Sequence, residues 1–123
     1  MNYNPIIRIG NELISLAICA DINNPCHPKD AKLKDVSIYI PSIFFSKDGI
    51  KDGLTKLQKY AKEFSLNILM SNFCGSHWGI ESGGKSSFWN SKGKQLVELP
   101  DNTNGIILVE KNKNNWITSS YLL

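Results

Sequence analysis

The sequence predicts an α/β fold built on one mixed β-sheet with helices on one face. Three observations carry that expectation. Short β-branched apolar runs alternate with helix-like segments, one segment repeats its apolar residues at a helical period, and turn-punctuated strand pairs stand towards both ends. The 123 residues suit a single domain with a real core and a modest stability margin.

Taken in order, residues 6–9 and 13–20 are apolar runs around the turn signal Gly10-Asn11 and predict a hairpin. The second run is continuous, which predicts a strand buried on both faces, ending at Cys19-Ala20-Asp21 just before Asn23-Asn24-Pro25. His27-Pro28-Lys29-Asp30 opens a short helix through Leu33, with Pro28 suited to its first turn. Residues 36–40 are β-prone and stop at Pro41. Between Gly49 and Phe64, the residues Ile50, Leu54, Leu57, Ala61 and Phe64 form one helical stripe. Residues 66–71 predict another buried strand. The Gly/Ser/aromatic stretch 72–85 predicts a loop, and 86–89 with 95–99 predict a hairpin around Ser91-Lys92-Gly93. Residues 105–110 predict a last strand, and 111–123 show no clear periodicity.

Composition narrows the function classes. A net charge of +3, with its lysines scattered, describes solvated faces and points away from nucleic acid. No apolar run approaches a membrane span, and the polar start predicts no cleavable leader. Three cysteines are an odd number for a disulfide framework, so the expected setting is reducing and cytoplasmic.

Cys19 is the candidate chemical centre. A nucleophilic thiol must be held rigidly, reached by substrate and kept partly as thiolate. A strand end followed by a turn meets the first two needs, and a following helix N-terminus helps the third. Position alone also fits a small buried apolar residue. A zinc set is the rival reading, with Cys26-His27 and Cys74-x-x-His77 as ligands. Its bland counterpart buries Cys26 and Cys74 and leaves His27 and His77 as exposed helix-start or loop residues. Asp21 either orients the turn after Cys19 or is a plain turn former. Trp78 and Phe73 are candidates for a pocket wall, whereas Phe88 and Trp89 read as core. Glu81 is the loop carboxylate nearest the site in sequence terms.

The stretch Leu16-Ala17-Ile18-Cys19-Ala20-Asp21, with Pro25, resembles the cysteine elbow of the nitrilase superfamily, the carbon–nitrogen hydrolases. Three further segments follow in that family's order: Asp35-Val36-Ser37-Ile38-Tyr39-Ile40-Pro41 resembles its next strand, Asn72-Phe73-Cys74-Gly75 its Asn-x-x-Gly segment, and Gly84-Lys85-Ser86 its Gly-x-Ser segment. The resemblance implies half of a four-layer αββα sandwich, with residues 1–123 as its C-terminal half. It implies a small-molecule amide or nitrile substrate, no cofactor and no resident metal. Of the catalytic set it carries over Cys19 alone, as the nucleophile; Asp21, Asn72, Trp78 and Glu81 are this chain's own substrate-side candidates, Glu81 also as a replacement for a missing base. The family's catalytic set joins a Glu base and an oxyanion-stabilising Lys to the Cys, both far upstream of it, and neither can be placed here. Cys26 also stands where the family has a Glu after the elbow proline. These departures keep open a non-catalytic remnant or assembly module. The inner face of a lone sheet would be exposed, so a homodimer or a complementary chain is expected to cover it.

Overall fold

The computed structural model describes residues 4–123; segment 1–3, part of the start expected to carry no leader, lies outside the described residues. The order of elements is β1 (Ile6–Ile9), β2 (Glu12–Ile18), a one-turn 3₁₀ helix (Cys19–Asn23), α1 (Cys26–Leu33), β3 (Ile38–Ile43), α2 (Ile50–Phe64) and β4 (Asn67–Asn72). There follow a small hairpin of β5 (Ser76–His77) and β6 (Ile80–Glu81), then β7 (Ser87–Trp89), β8 (Gln95–Glu98), β9 (Gly105–Asn112) and β10 (Asn115–Leu122).

The main sheet runs β1-β2-β3-β4-β7-β8, with β2, β3 and β4 parallel and the flanking pairs antiparallel. Parallel neighbours need crossover connections, here α1 and α2, and right-handed crossovers advancing in one direction place both on the same side. The core lies between that side and the helices. It joins Ala17, Tyr39, Ile43, Ile68, Met70 and Trp89 of the sheet to Ala31, Leu57, Tyr60 and Ala61 of the helices. The expected stripe of α2 supplies it, with Ile50, Leu57 and Ala61 buried and Leu54 and Phe64 packed at its margin. The mixed α/β architecture with helices on one face is as the sequence predicts.

Four local expectations need correction. First, β2 is covered throughout on one face only: Ser15 and Ala17 are buried there, whereas on the other face Ile14 is buried but Leu16 and Ile18 are 40% and 68% exposed. A continuous apolar run says that both faces suit burial, not that both are covered. Second, β3 does not stop at Pro41 but continues to Ile43. Its pairing with β2 persists through Pro41, while that with β4 lapses beside it and resumes at Ser42↔Ser71. Third, the tail is a strand: β10 pairs with all of β9 through a tight turn at Lys113-Asn114, Lys113 having φ +60°. Fourth, the 72–85 loop contains the β5–β6 hairpin.

The β9–β10 hairpin reaches the helix-free side of the sheet, where the Trp116 ring tilts against Phe88 and Lys111 pairs with Glu12 at the start of β2. The Lys111 ammonium and the Ser37 hydroxyl hold the Glu12 carboxyl below its ordinary value of 4.5, against the opposing effect of burial.

Gly53 sits inside α2 because the tip of the Phe45 ring presses against it; a Cβ there would stand 2.5 Å from ring carbons. Gly53→Ala is therefore expected to lower stability. Overpacking costs about 1–3 kcal/mol, against roughly 1 kcal/mol gained in helix propensity. Urea unfolding checks this, and a stabilised variant contradicts it. A carboxylate with a lowered pKa contributes stability that is full above 4.5 and fades as pH falls through the lowered value. Glu12→Gln should accordingly flatten the acid limb of a thermal stability profile below pH 4.5 and leave neutral stability changed by at most about 1 kcal/mol.

Candidate active site

Where β2 ends, Cys19 turns the chain with a left-handed φ of +46° and begins the 3₁₀ helix. For a residue with a Cβ this conformation costs about 1–2 kcal/mol. Three contacts hold it. The Asp21 carboxylate accepts the Ile18 N–H at 2.9 Å, closing the turn from below. Ile22 is 1% exposed and anchors the turn in the core, an effect worth about 1.5–3 kcal/mol. The buried Tyr60 hydroxyl of α2 donates to the Ile22 carbonyl at 2.7 Å. Beyond the turn, Asn24 Oδ1 accepts the Cys26 N–H at 3.0 Å and starts α1. The strain thus persists because burial outweighs it, and the Cys19 side chain is left exposed.

Cys19 lies at the carboxyl ends of the three parallel strands, where α/β sheets place their chemistry. With Ser42, Ile43 and Phe44 after β3 and Ser71, Asn72 and Phe73 after β4, it lines a half-open cleft of about 420 Å³. The register explains the layout. Ile18 pairs with Ser42, Ser42 with Ser71, and Ile43 with Asn72, so Phe44 and Phe73 fall side by side one step further on. Their rings stack at 3.8 Å with 14° between planes, and the Trp78 ring tilts against Phe44 at 5.8 Å.

The site residues expected from sequence separate here. Asn72 shares the cleft with Cys19, but its amide is engaged by the fold. Its Oδ1 accepts from the N–H groups of Phe45 and Phe73 at 2.8 and 3.0 Å, and its Nδ2 donates to the carbonyls of Phe45 and Gly84 at 3.0 and 2.9 Å. Asp21 supports the elbow from beneath. Trp78 stands at the tip of the β5–β6 hairpin, 91% exposed, adjoining the cleft only through Phe44. Glu81 is exposed, 3.9 Å from Lys47, and lines a separate depression with Ser46 and Asp48. Phe44, Ser42 and Ser71 were missed. The signal was a repeat: Ser42-Ile43-Phe44 and Ser71-Asn72-Phe73 place Ser-x-Phe at two adjacent strand ends.

His27 is buried, not an exposed helix-start residue. It shares a 2.7 Å hydrogen bond with the Tyr39 hydroxyl, and its Nε2 lies 3.9 Å from Asp21. Burial, reinforced by the charge of Asp21 and by Tyr60, pushes the Tyr39 phenol far above its ordinary range, so it keeps its proton. Cys26 is exposed and Cys74 half-buried, against the expectation that both are buried. Among the described residues no three His, Cys, Asp or Glu side chains gather as a metal site, so the four zinc-ligand candidates are not brought together.

Removing the clamp should free the elbow. Asp21→Ala is expected to cost about 1 kcal/mol and to speed amide hydrogen exchange at Ile18 several-fold, while Asp21→Asn retains an acceptor and most of the protection. Unchanged exchange in the alanine variant contradicts the clamp.

No family model matches the chain. Deaminated glutathione amidase of Dictyostelium discoideum is 29% identical over 121 residues, covering 89% of this chain and 42% of that protein. A solved amidase from Nesterenkonia sp. AN1, described as a member of the nitrilase superfamily and studied there as a cysteine-to-alanine mutant, superposes with a TM-score of 0.76 at 18% identity. It covers 100% of this chain and 42% of its own. A glutamate-to-glutamine mutant of that amidase, with acrylamide joined by Michael addition to the active-site cysteine, gives 0.74 at 22% identity over 80% and 39%. The chain therefore spans about two fifths of the relatives it matches. It carries the fold of the nitrilase superfamily over a partial region consistent with that fold's C-terminal half.

Proposed function

We propose that this chain is the cysteine-bearing part of a carbon–nitrogen hydrolase acting on a small non-peptide amide, carbamoyl or nitrile group through a thioester at Cys19. The observation that carries the reading is the exposed thiol on a strained strand-end turn, at the mouth of a cleft where three parallel strands end. With an amide or carbamoyl group, Sγ would attack the carbonyl carbon, the C–N bond would break, the amine would leave with a proton, and water would release the acid from the thioester. With a nitrile, Sγ would add to the nitrile carbon while the nitrogen takes the thiol proton, giving a thioimidate; water would then add and ammonia leave to give the same thioester.

Among the described residues the cleft lining holds no carboxylate and no lysine. Without a base, no group of the described cleft takes up the thiol proton as Sγ attacks. Without an oxyanion partner, roughly 3–4 kcal/mol of transition-state stabilisation is absent. The described portion is thus expected to acylate slowly and turn over poorly. The odd number of cysteines fits a reducing, cytoplasmic setting.

The helix-free face also bears on the reading. Ile7, Ile9, Leu16 and Ile18 stand 41%, 62%, 40% and 68% exposed on it, a row of apolar side chains that a second sheet would cover. The catalytic reading requires that sheet to bring the base and the lysine, as a complementary chain would. The alternative, a non-catalytic assembly module favoured by Cys26 in the place of the family's Glu, is expected to pack two identical copies face to face.

Two measurements separate these readings. Mass spectrometry after limiting iodoacetamide should find Cys19 labelled at least several-fold faster than Cys26 and Cys74; equal labelling removes the case for an activated thiol. Light scattering should find a mass above that of one chain, and a clean monomer argues against an association face.

A further inference from the structure

We propose that the Phe44–Phe73 stack is the acyl-binding wall of the Cys19 cleft, and that the cleft selects a flat, uncharged acyl group such as an aromatic one. This rests on the reading of Cys19 as the acylated thiol and names the substrate class that the thiol would meet.

Four observations converge. The rings are parallel within 14° and 3.8 Å apart, and both line the same cleft as Cys19. Aromatic rings, met edge to face or offset-stacked, gain more from an aromatic guest than from an aliphatic one. No charged side chain lines the cleft among the described residues, so a charged acyl group would enter without a counter-ion. Ser42 and Ser71, neighbours by register, line the cleft as well; both are exposed, so their hydroxyls are free to meet a neutral polar substituent. Trp78, outside the cleft lining, tilts against Phe44 and extends the aromatic surface beyond the cleft.

Asn72 fixes this wall in place. Its amide binds both backbone groups of Phe45 and the N–H of Phe73, so the residue after one ring and the backbone of the other are tied to a single side chain. The wall is preorganised before any ligand arrives.

The test is acyl transfer to the full chain from p-nitrophenyl acetate, p-nitrophenyl benzoate and mono-p-nitrophenyl glutarate. The thiol displaces p-nitrophenol and forms a thioester, read by mass spectrometry. For each donor the rate at Cys19 is divided by that at exposed Cys26 of the same molecule, which cancels the donor's own reactivity. The expected ratio is at least tenfold higher for benzoyl than for acetyl, and lower for glutaryl than for acetyl. Phe44→Leu and Phe73→Leu, which keep apolar bulk without the stack, should each reduce the benzoyl preference fivefold or more. Equal benzoyl and acetyl ratios, or a preference that survives both substitutions, overturn the proposal while leaving Cys19 as the acylated thiol. Acylation of Cys19 no faster than Cys26 with every donor overturns both. Binding of benzamide to the Cys19→Ser variant, followed by tryptophan fluorescence, gives a readout without acylation. Saturable quenching that Phe44→Leu weakens supports the wall, and no saturable response opposes it.

Discussion

Three strands running in parallel constrain everything else in this molecule. Parallel β2, β3 and β4 cannot be joined by tight turns, so each step needs a helix. The handedness of those crossovers stacks α1 and α2 on one side. One consequence is a dense core between helices and sheet, centred on Tyr39, Leu57, Ile68 and Trp89. A second is that three carboxyl ends emerge in one row, and there Cys19, Phe44 and Phe73 meet. A third is a bare opposite face, partly crossed by the β9–β10 hairpin. The cleft and the bare face are thus two outcomes of one connection rule.

The elbow is a contest of small energies that closes in favour of the observed geometry. A left-handed cysteine costs on the order of 1–2 kcal/mol. Burying Ile22 three residues later returns a similar or larger amount, and the hydrogen bonds of Asp21 and Tyr60 add to it. The residues that hold the thiol lie below it, on the helix side, whereas the groups it faces lie beyond the strand ends. Support and exposure therefore do not compete for the same space.

Much of the fold was legible because periodicity reports local structure directly. The stripe of α2, the hairpin before Cys19 and the hairpin of β7 and β8 all follow from patterns within one segment. What was not legible depends on partners distant in sequence. Pro41 reads as a stop, yet it is tolerated where the ladder to β4 lapses. The run before Cys19 reads as doubly buried, yet coverage is a property of the other layer. β10 has no pattern of its own and takes its shape from pairing along β9. At the candidate site, the strand-end turn left Cys19 open between a reactive and a buried thiol, and only the resemblance of its flanking residues singled it out; Asp21 was legible as a turn residue from its chemistry. Phe44 was not, because its place in the cleft arises only when β3 and β4 are laid in register. His27 was misjudged because its burial comes from Tyr39, a residue on a different strand.

The backbone angle at Cys19 has a bearing on inheritance. A site with φ +46° favours glycine, and asparagine after it, over any residue with a bulkier side chain. Random substitution there, judged by folding alone, would drift towards those two. A thiol at such an angle is a standing handicap to the fold, and replacing it by glycine would relieve the chain. On the reading of Cys19 as the acylated thiol, glycine here would spare the backbone and cost the chemistry, so fold and reaction would pull this position in opposite directions.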